Sequence, residues 1–455
     1  MNRSLHIVIL AAGEGTRMKS DRPKMLQRLG GRPMLTHLLD TADVLQPEAI
    51  HVVVGAGSEA VREACSGYDV NWVHQEERRG TGHAVMQAMP GVPDGVALLI
   101  LLGDTPLIPA ALLQDMVNAY QGPLALLTME LDDPHGYGRI LRDPGGNIIG
   151  VVEHHDAEAH QHAIREVNSG IIMTDSERLR GWLDRIGCDN AKGEYYLPDV
   201  FSMARAENGE IQGMLAPDAD DLQGANDRAQ LAALERRYQR RQAGKLMSAG
   251  VQLMDPDRLD IRGRTQAGRD VLIDINVVLE GDIRLGDGVT IGPGAVLIDC
   301  DLAAGTRVLA HSVLEGVTTT GACDIGPFAR LRPGTELSAG CRVGNFVETK
   351  NARLGEGSKA SHLSYLGDTV IGSGVNIGAG TITCNYDGAN KHRTVIEDGV
   401  FIGSDTQLVA PVTVGRNATV GAGSTVTKDA PPDALTVSRA RQTTIRGWKR
   451  PEKET

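Results

Sequence analysis

The sequence of 455 residues predicts a fold in two parts, an α/β domain over residues 1–226 and an all-β solenoid over residues 251–437. In the first part, short aliphatic runs alternate with segments of helical spacing. In the second part, one aliphatic residue recurs at every sixth position. A composition with 55 glycines and only 3% aromatic residues suits cores made of small and aliphatic side chains. We therefore expect two or three folding units, since a domain usually has about 100 to 200 residues.

Strands and helices alternate through the first part. Segments 5–10, 50–54 and 96–102 are continuous aliphatic runs that predict buried strands, and segments 33–44 and 109–120 predict helices between them. This alternation is typical of a mostly parallel sheet covered by helices on both faces. Ligands of such sheets bind at the carboxyl ends of the strands.

A helical linker is expected between the two parts. Residues 227–250 are rich in alanine, leucine, glutamine and arginine, with Leu231, Leu234 and Tyr238 at helical spacing. No glycine interrupts this segment before Gly244, which favours a continuous helix.

The second part keeps a six-residue period over long stretches. The aliphatic residues form three uninterrupted series: Leu285, Ile291 and Leu297; Ile325, Leu331, Leu337 and Val343; Ile402, Leu408, Val414, Val420 and Val426. This period predicts a β-solenoid in which each short strand directs one aliphatic side chain into a narrow core and glycine forms the tight corners. The register breaks at residues 384–392, which we expect to project as a functional loop, and a basic tail over residues 438–455 leaves the repeat.

Composition excludes several classes of protein. A formal net charge of −12 argues against general nucleic-acid binding, which needs clustered cations. The six cysteines form no C-x-x-C pair, so we expect free thiols in a reducing cytoplasm. The apolar stretch that ends at Leu10 is too short for a signal peptide. The sequence contains no run of about 18 apolar residues, so no membrane-spanning helix is predicted.

A glycine-rich segment follows the first predicted strand. It runs from Leu10 to Met18 as Leu-Ala-Ala-Gly-Glu-Gly-Thr-Arg-Met, and Lys24 lies six residues further on. Small residues let backbone N–H groups approach phosphate oxygens, and Arg17 and Lys24 can neutralise a triphosphate. The segment lacks the G-K-[ST] ending of a P-loop, and Met18 replaces the third glycine of the dinucleotide fingerprint.

This segment resembles the signature of sugar-1-phosphate nucleotidyltransferases, whose fold is Rossmann-like. Further strings occur in that family's order: Gly80-Thr81-Gly82-His83-Ala84, Gly103-Asp104-Thr105-Pro106, Gly136-Tyr137-Gly138-Arg139, Val152-Glu153, Asn168-Ser169-Gly170 and Gly224-Ala225-Asn226. Together they are similar, over nearly the whole chain, to the bifunctional N-acetylglucosamine-1-phosphate uridyltransferases and glucosamine-1-phosphate acetyltransferases. Two positions depart from the expected pattern, namely Arg78, where a neutral polar residue is usual, and Leu102, where an aromatic residue is common.

Asp104 follows a predicted strand and is a suitable Mg²⁺ ligand, because Mg²⁺ prefers one or two protein oxygens together with phosphates and water. The resemblance adds Asn226 as the second ligand. It further implies that UTP and the N-acetylglucosamine part contact a set of loop residues. These are Leu10, Ala11, Ala12, Gly13, Arg17, Lys24, Gln75, Gly80, Thr81, Leu102 and Gly103 for the nucleotide, and Gly138, Glu153 and Asn168 for the sugar.

A polar string interrupts the solenoid pattern around His362. Acyl transfer from a thioester to an amine requires the amine to lose a proton, and histidine suits a general base at neutral pH. The resemblance agrees on His362 and places Arg332, Lys350, Tyr365 and Asn376 around the sugar phosphate. An acidic protein needs such local cations to hold a phosphate.

The resemblance also implies an acetyl-CoA site along the solenoid. Its residues are Ala379, Asn385, Tyr386, Ser404, Ala422 and Arg439. Members of this family are left-handed parallel β-helices that assemble as homotrimers with sites between subunits. Handedness and trimer are implications of the resemblance, whereas the solenoid follows from the period itself.

The expected function is synthesis of UDP-N-acetylglucosamine, a precursor of peptidoglycan and lipopolysaccharide, by acetyl transfer from acetyl-CoA to glucosamine-1-phosphate and then uridylyl transfer from UTP to N-acetylglucosamine-1-phosphate. Three alternatives stay open. The nucleotide or acyl group can differ, the chain can be a regulatory subunit, or the solenoid can be an oligomerisation scaffold attached to one enzyme.

Overall fold

The computed structural model describes residues 4–55, 57–207, 209–451 and 453, and the chain forms two compact units that divide between Tyr238 and Gln239. Residues 452, 454 and 455 of the predicted tail lie outside the described residues. The division falls within the helix Arg228–Ser248, which occupies the segment expected to be a linker. No described helix is both long enough and apolar enough to cross a membrane.

The first unit is built on a twisted sheet with helices packed against it. Its strands, in chain order, are β1 Leu5–Leu10, β2 Arg28–Leu29, β3 Arg32–Pro33, β4 Ala49–Val54, β5 Asn71–His74, β6 Ala97–Leu102, β7 Leu124–Glu130, β8 Arg139–Arg142, β9 Ile148–Val152, β10 Glu166–Asp175 and β11 Ile211–Leu215. Its α-helices are α1 Met34–Val44, α2 Ser58–Ala64, α3 Thr81–Ala88, α4 Ala110–Ala119, α5 Ser176–Leu183 and α6 Asp199–Ala206, and the helix Arg228–Ser248 is α7.

The main sheet has the strand order β11-β7-β10-β6-β1-β4-β5, with β8 and β9 attached beside β10. Neighbours β6, β1, β4 and β5 are parallel, and so are β7 and β11, whereas β10 runs antiparallel to both of its neighbours in that order. The central strands carry aliphatic residues on both faces because helices cover both. Ile7 and Ile9 pack with Leu38 of α1 on one face, and Val8 packs with Val85 of α3 on the other. The mostly parallel, doubly covered sheet expected from the sequence is confirmed.

Two histidines are buried inside this aliphatic sheet. His6 and His51 are 4% and 2% exposed, and their rings stack with Nδ1 of His6 3.3 Å from Nε2 of His51. Nε2 of His6 and Nδ1 of His51 have no hydrogen-bond partner among the described residues. Burial lowers the pKa of both imidazoles, and the charge of Glu48 offsets only part of the effect at His6. The lowered pKa values favour the neutral form of both imidazoles.

The second unit is a parallel β-helix of short strands. They are β12 Gln252–Leu253, β13 Leu259–Ala267, β14 Leu272–Ile273, β15 Val277–Leu285, β16 Thr290–Ile291, β17 Val296–Ile298, β18 Asp301–Leu302, β19 Arg307–Val308, β20 Val313–Glu315, β21 Val317–Thr319, β22 Asp324–Ile325, β23 Arg330–Leu331, β24 Thr335–Leu337, β25 Arg342–Asn345, β26 Glu348–Leu354, β27 Lys359–His362, β28 Tyr365–Ile371, β29 Asn376–Ile377, β30 Ile382–Cys384, β31 Thr394–Ile396, β32 Phe401–Ile402, β33 Gln407–Val409, β34 Val412–Val414, β35 Thr419–Val420, β36 Thr425–Val426 and β37 Leu435–Thr436.

Successive coils of the helix stack in register. Ile291 pairs with Val308, which pairs with Ile325, so one coil takes about three six-residue repeats. The aliphatic residues of all three predicted series are at most 3% exposed and belong to one continuous core. The predicted solenoid is thus confirmed.

The loop predicted at residues 384–392 lies between β30 and β31. The core remains continuous across it, because Ile377 still pairs with Ile402 on the next coil. Asp387 organises the loop by accepting hydrogen bonds from the backbone N–H groups of Ala389 and Asn390 and from His392, and these bonds lower the pKa of its carboxyl group.

All six cysteines are free, as expected. In the tail, residues 438–451 and 453 are exposed and form no helix or strand.

We expect the first unit to lose stability as the pH falls below the ordinary histidine pKa of about 6.5. The lowered pKa of His6 and His51 in the folded state means that the unfolded chain binds protons first, so the free energy of unfolding decreases as the pH falls towards the folded values. Urea unfolding between about pH 7.5 and pH 5.5, monitored by the fluorescence of Trp72 and buried Trp182 in the first unit, measures this slope.

In the double variant His6→Gln/His51→Gln, the free energy of unfolding should depend less steeply on pH. Part of the slope should remain, because burial also lowers the pKa of His37. A slope identical to that of the unsubstituted protein would show that the pair does not titrate on unfolding.

Candidate active sites

The loop after β1 lies at the carboxyl ends of three parallel strands. The backbone N–H of Ala11 donates to Val53 O at 2.8 Å, and that of Gly103 donates to Leu10 O at 2.9 Å, so the ends of β1, β4 and β6 meet. A cavity of about 330 Å³ opens there. Its lining residues are Leu10, Ala12, Gly13, Lys24, Met25, Gln75, Arg78, Gly80, Thr81, Ala84, Leu102, Asp104 and Glu194.

A second cavity of about 190 Å³ shares Thr81 and Leu102 with the first. Its walls include Gly138, Glu153 and Asn168, the three residues expected around the sugar. We call the first the nucleotide cavity and the second the sugar cavity, after the ligands that the sequence predicts for their residues. The two cavities are neighbours, as a reaction between two such ligands would require.

Lys24, Asp104 and Asn226 meet at the edge of the nucleotide cavity. Nζ of Lys24 donates to Oδ2 of Asp104 at 2.5 Å and to Oδ1 of Asn226 at 2.8 Å. The lysine is 6% exposed and packs against Gly15, where an added Cβ would lie 2.6 Å from Cβ of Lys24. Gly15 also has a φ of +66°, so this position favours glycine for both space and backbone conformation.

Oδ2 of Asp104 and Oδ1 of Asn226 converge on Nζ of Lys24, and they are oxygens of the kind that a hard cation binds. In the described part of the chain, no three histidine, cysteine, aspartate or glutamate side chains converge to hold a metal. Two protein oxygens leave most of an octahedral shell to phosphates and water, as Mg²⁺ prefers. Burial and the negative charge of Asp104 raise the pKa of the nearby Tyr137. A Mg²⁺ ion held by Asp104 and Asn226 would displace the ammonium group of Lys24 from these oxygens.

The ends of helix α3 and strand β5 shape the remaining wall of the nucleotide cavity. Gln75 is 3% exposed and its Nε2 donates to Nδ1 of His83 at 2.9 Å, which orients the amide. Gly80 has a φ of +105°, and a Cβ there would lie 2.6 Å from Tyr195 O. Only glycine fits between this wall and the segment around Tyr195.

The sugar cavity depends on an irregularity in strand β10. The pairing of β10 with β7 shifts register between Asn168 and Ile172, and bulges of this kind commonly turn side chains toward active sites. Gly170, inside the bulge, has a φ of +79° and approaches the Leu102 side chain. Burial raises the pKa of Glu153, which lines the opposite wall.

Three predicted nucleotide residues do not line the nucleotide cavity. Ala11 and Gly103 are buried behind it, and their backbone hydrogen bonds hold the strand ends together. Arg17 is exposed on the short helix Thr16–Met18. Sequence reasoning also missed two charged residues of the wall, Arg78 and Glu194. Arg78 had one sequence signal, its departure from the family pattern, whereas nothing in the sequence marked Glu194.

His362 lies at the end of β27, exposed on the solenoid surface. Its Nδ1 is 2.8 Å from Oδ1 of Asn345, the residue paired with it on the preceding coil. With Nδ1–H donating to this amide oxygen, Nε2 carries the lone pair and faces away as a proton acceptor. The geometry suits a general base whose tautomer is set by Asn345.

Three of the six predicted acetyl-CoA residues form a column with His362 along the helix, and a fourth contacts the end of that column. Asn345 and His362 occupy equivalent corners of consecutive coils. They follow Gly344 and Ser361, whose backbones are so close that a Cβ added to Gly344 would lie 1.9 Å from Ser361 O. Ala379, Ser404 and Ala422 continue the same corner on the following coils. At the far end of the column, Nη1 of Arg439 donates to Ala422 O at 2.5 Å.

A group of cations lies on a different sheet of the solenoid. Lys350 is on β26, and the adjacent Lys391 lowers its pKa most, followed by smaller effects of desolvation and of Arg332. Sequence reasoning missed Lys391, although it belongs to the loop predicted to be functional. Glu348 pairs with Arg332 at 2.9 Å and Asp368 offsets part of the repulsion at Lys350, and an anion such as a phosphate would stabilise these cations further.

Aromatic and amide groups complete the wall beside these cations. An added Cβ at Gly367 would lie 2.4 Å from the hydroxyl oxygen of Tyr365 and 2.8 Å from Nδ2 of Asn385. The glycine thus leaves room for both groups. Nδ2 of Asn385 donates to Asp368 at 2.5 Å. Asn376 lies on β29, on the same sheet as His362, and Tyr386 is 60% exposed on the loop.

Comparisons with known proteins agree with both halves of the chain. Residues 7–142 match the MobA-like NTP transferase domain, and residues 268–299 and 393–428 match the bacterial transferase hexapeptide of six repeats. A protein of Alkalilimnicola ehrlichii named "Bifunctional protein GlmU" is 57% identical over 99% of this chain and 97% of its own length. Proteins of the same name from Stenotrophomonas maltophilia and an Azoarcus species are 56% and 54% identical, covering 100% and 99% of this chain and 100% of their own lengths.

The resemblance stated from the motifs is therefore confirmed, and so is the fold class of a Rossmann-like nucleotidyltransferase domain followed by a left-handed parallel β-helix. Identity above 50% extends over the whole chain rather than over one domain. The chain belongs to the family of the bifunctional protein GlmU, enzymes that join a nucleotidyltransferase domain to a hexapeptide acyltransferase domain.

Proposed function

We propose that this chain synthesises UDP-N-acetylglucosamine by two reactions at two separate sites. The solenoid transfers the acetyl group of acetyl-CoA to glucosamine-1-phosphate, and the α/β domain then transfers the uridylyl group of UTP to N-acetylglucosamine-1-phosphate with release of pyrophosphate. The observation that carries this proposal is the convergence of Lys24, Asp104 and Asn226 on the nucleotide cavity of a chain that also presents His362 on its solenoid.

In the acetyl transfer, the amine nitrogen of the sugar attacks the thioester carbonyl carbon. A C–N bond forms, the C–S bond breaks, and the proton of the amine passes to Nε2 of His362. Asn345 supports this step because its Oδ1 accepts a hydrogen bond from Nδ1–H of His362. The column of Ala379, Ser404 and Ala422 offers small residues and backbone groups along which the cofactor can lie with its thioester near His362.

In the uridylyl transfer, a phosphate oxygen of the sugar attacks the α-phosphorus of UTP and the bond to pyrophosphate breaks. The protein contributes position and charge, since no covalent intermediate is needed. Asp104 and Asn226 would hold Mg²⁺, and the ammonium group of Lys24, released from these two oxygens, would supply a cation to the phosphates. When bound, Mg²⁺ neutralises the phosphate charge that develops during transfer.

A homotrimer is part of the proposal. Phe328, Phe346 and Leu363 stack on one corner of consecutive coils, 47%, 58% and 60% exposed, and each has a positive φ that is costly for a bulky residue. This exposed apolar ladder separates the sheet that carries His362 from the sheet that carries Lys350. A neighbouring copy packed on the ladder buries it and brings the two half-sites together across subunits.

The other functional readings have less support. A regulatory subunit has no need of the oriented His362 or of the three groups that meet at Lys24. A scaffold has no need of the organised loop beyond Cys384. The six free cysteines favour a reducing compartment such as the cytoplasm. Competition between UTP and other nucleoside triphosphates, and between acetyl-CoA and longer acyl-CoA esters, decides the remaining question of specificity.

Separate sites predict separable losses. His362→Ala should lower thiol release from acetyl-CoA by about 10²- to 10⁴-fold, the usual contribution of a general base, and leave pyrophosphate release from UTP and N-acetylglucosamine-1-phosphate unchanged. Asp104→Ala should do the reverse. Both products are measured with each substrate omitted in turn. Loss of both activities in either variant would refute two independent sites.

The hydrogen bond of Asn345 predicts a positioning role in acetyl transfer. Asn345→Ala should lower kcat about tenfold, with little change in KM, because His362 loses its fixed tautomer. Asn345→Asp should keep the acceptor but move the acid limb of the pH–rate profile to higher pH, since a carboxylate favours the imidazolium. Gln266→Ala, which removes an exposed amide from an early coil, is the control. An unchanged profile in the Asp variant would contradict this role.

The ladder predicts how the assembly depends on two side chains. Phe328→Asn/Phe346→Asn removes the apolar surface while relieving the positive φ, which asparagine tolerates. We expect the mass measured by light scattering to fall from three times 48.5 kDa to 48.5 kDa, with loss of acetyl transfer only. Met254→Ser, at an exposed residue outside the ladder, serves as the control. A variant that remains trimeric would show that another surface forms the interface.

A further inference from the structure

Two adjacent arginines at the nucleotide cavity have different surroundings. Arg78 lines the cavity, and its side chain is 29% exposed. Arg79 pairs with Glu77 at 2.5 Å, and both side chains of that pair are more than half exposed. Of the two, only Arg78 lines the cavity.

The Arg78 side chain crosses the ends of two strands. A Cβ added to Gly55, just beyond β4, would lie 3.2 Å from Nε of Arg78 and 3.0 Å from Ala12 O. The absence of a side chain at Gly55 therefore gives the guanidinium its path toward the loop after β1. There, Nη1 of Arg78 forms an ion pair with Oε1 of Glu14.

The charges of the cavity are internally paired in this state. The ammonium group of Lys24 is held by Asp104 and Asn226, and the guanidinium of Arg78 is held by Glu14. Glu194 adds a further carboxylate to the wall. Both cations on the walls formed by these residues are paired, so either of them has to leave its carboxylate before it can contact a phosphate.

The Arg78–Glu14 pair is the one suited to open. Glu14 is 57% exposed and belongs to the glycine-rich loop whose backbone N–H groups can face phosphate oxygens. A partly exposed ion pair contributes little stability, so its exchange is easy. A phosphate on this loop would repel the Glu14 carboxylate and attract the guanidinium, which binds phosphate through paired hydrogen bonds.

We propose that Arg78 binds the triphosphate of the nucleotide and that Glu14 occupies its guanidinium in the free enzyme. Nucleotide binding exchanges the carboxylate for phosphate oxygens. This inference rests on the proposed uridylyl transfer and adds a residue to it. It gives the departure of Arg78 from the family pattern a role, namely a second cation beside Lys24 in the cavity.

The test measures the affinity of the full-length protein for uridine, UMP, UDP and UTP by titration calorimetry, together with KM for UTP. Arg78→Gln should weaken UTP and UDP binding about tenfold and leave uridine binding unchanged, because the lost contacts are to phosphate. Glu14→Gln should tighten UTP binding severalfold by removing the competing carboxylate. In the double variant, the Glu14 effect should disappear.

Arg79→Gln is the matched control, because it removes the same charge from the adjacent residue, which does not line the cavity. Equal effects of Arg78→Gln and Arg79→Gln would overturn the inference, since they would indicate only general attraction. Equal loss for uridine and UTP would also overturn it, since the contact would then be to the base. If the unsubstituted protein neither binds UTP nor releases pyrophosphate from it, the proposed function fails as well.

Thiol release from acetyl-CoA is followed in every variant and should be unchanged. If the unsubstituted protein binds and uses UTP while Arg78→Gln behaves like the control, only the role of Arg78 is refuted. The two failures are therefore distinguishable in one set of measurements.

Discussion

Backbone contact between stacked coils is the constraint on which the solenoid and its site depend. At Gly344 an added Cβ would lie 1.9 Å from Ser361 O, and at Gly403 it would lie 2.4 Å from the backbone nitrogen of Ala422. Such proximity admits no side chain, so the residue after each glycine is held at an equivalent corner of its coil. His362 follows Ser361 rather than a glycine, but it occupies the corner paired with that of Asn345. A single column therefore carries the base and three of the residues expected to contact acetyl-CoA.

The α/β domain obtains its site from a different constraint, the convergence of strand ends. Hydrogen bonds join the end of β1 to β4 on one side and to β6 on the other. The glycine-rich loop and Asp104 therefore approach each other although they are far apart in the chain. Lys24 donates hydrogen bonds to both Asp104 and Asn226, and Asn226 lies just before the first residue of helix α7. Oxygen ligands and a cation are thus assembled from three separate segments.

Regular features were predictable from the sequence, and individual contacts were not. The periods of aliphatic residues predict the sheet and the coils because each repeat buries an aliphatic side chain at the same position. The contact of Asn345 with His362 depends on how many residues one coil contains, which the aliphatic period indicates only approximately. Arg78 and Lys391 carry charges that look like those of any surface residue until the fold places them beside other charged groups. The family motifs identified most cavity residues but not Glu194 or Met25.

The loop between β30 and β31 enters the solenoid without disturbing its core. Ile377 stacks on Ile402 just as other aliphatic residues stack on their neighbours one coil away. The length of the loop between β30 and β31 is thus independent of the packing of side chains in the solenoid core. A hexapeptide coil can therefore acquire, lengthen or exchange a surface loop while its core sequence stays the same. The fold separates the evolution of ligand recognition from the maintenance of stability.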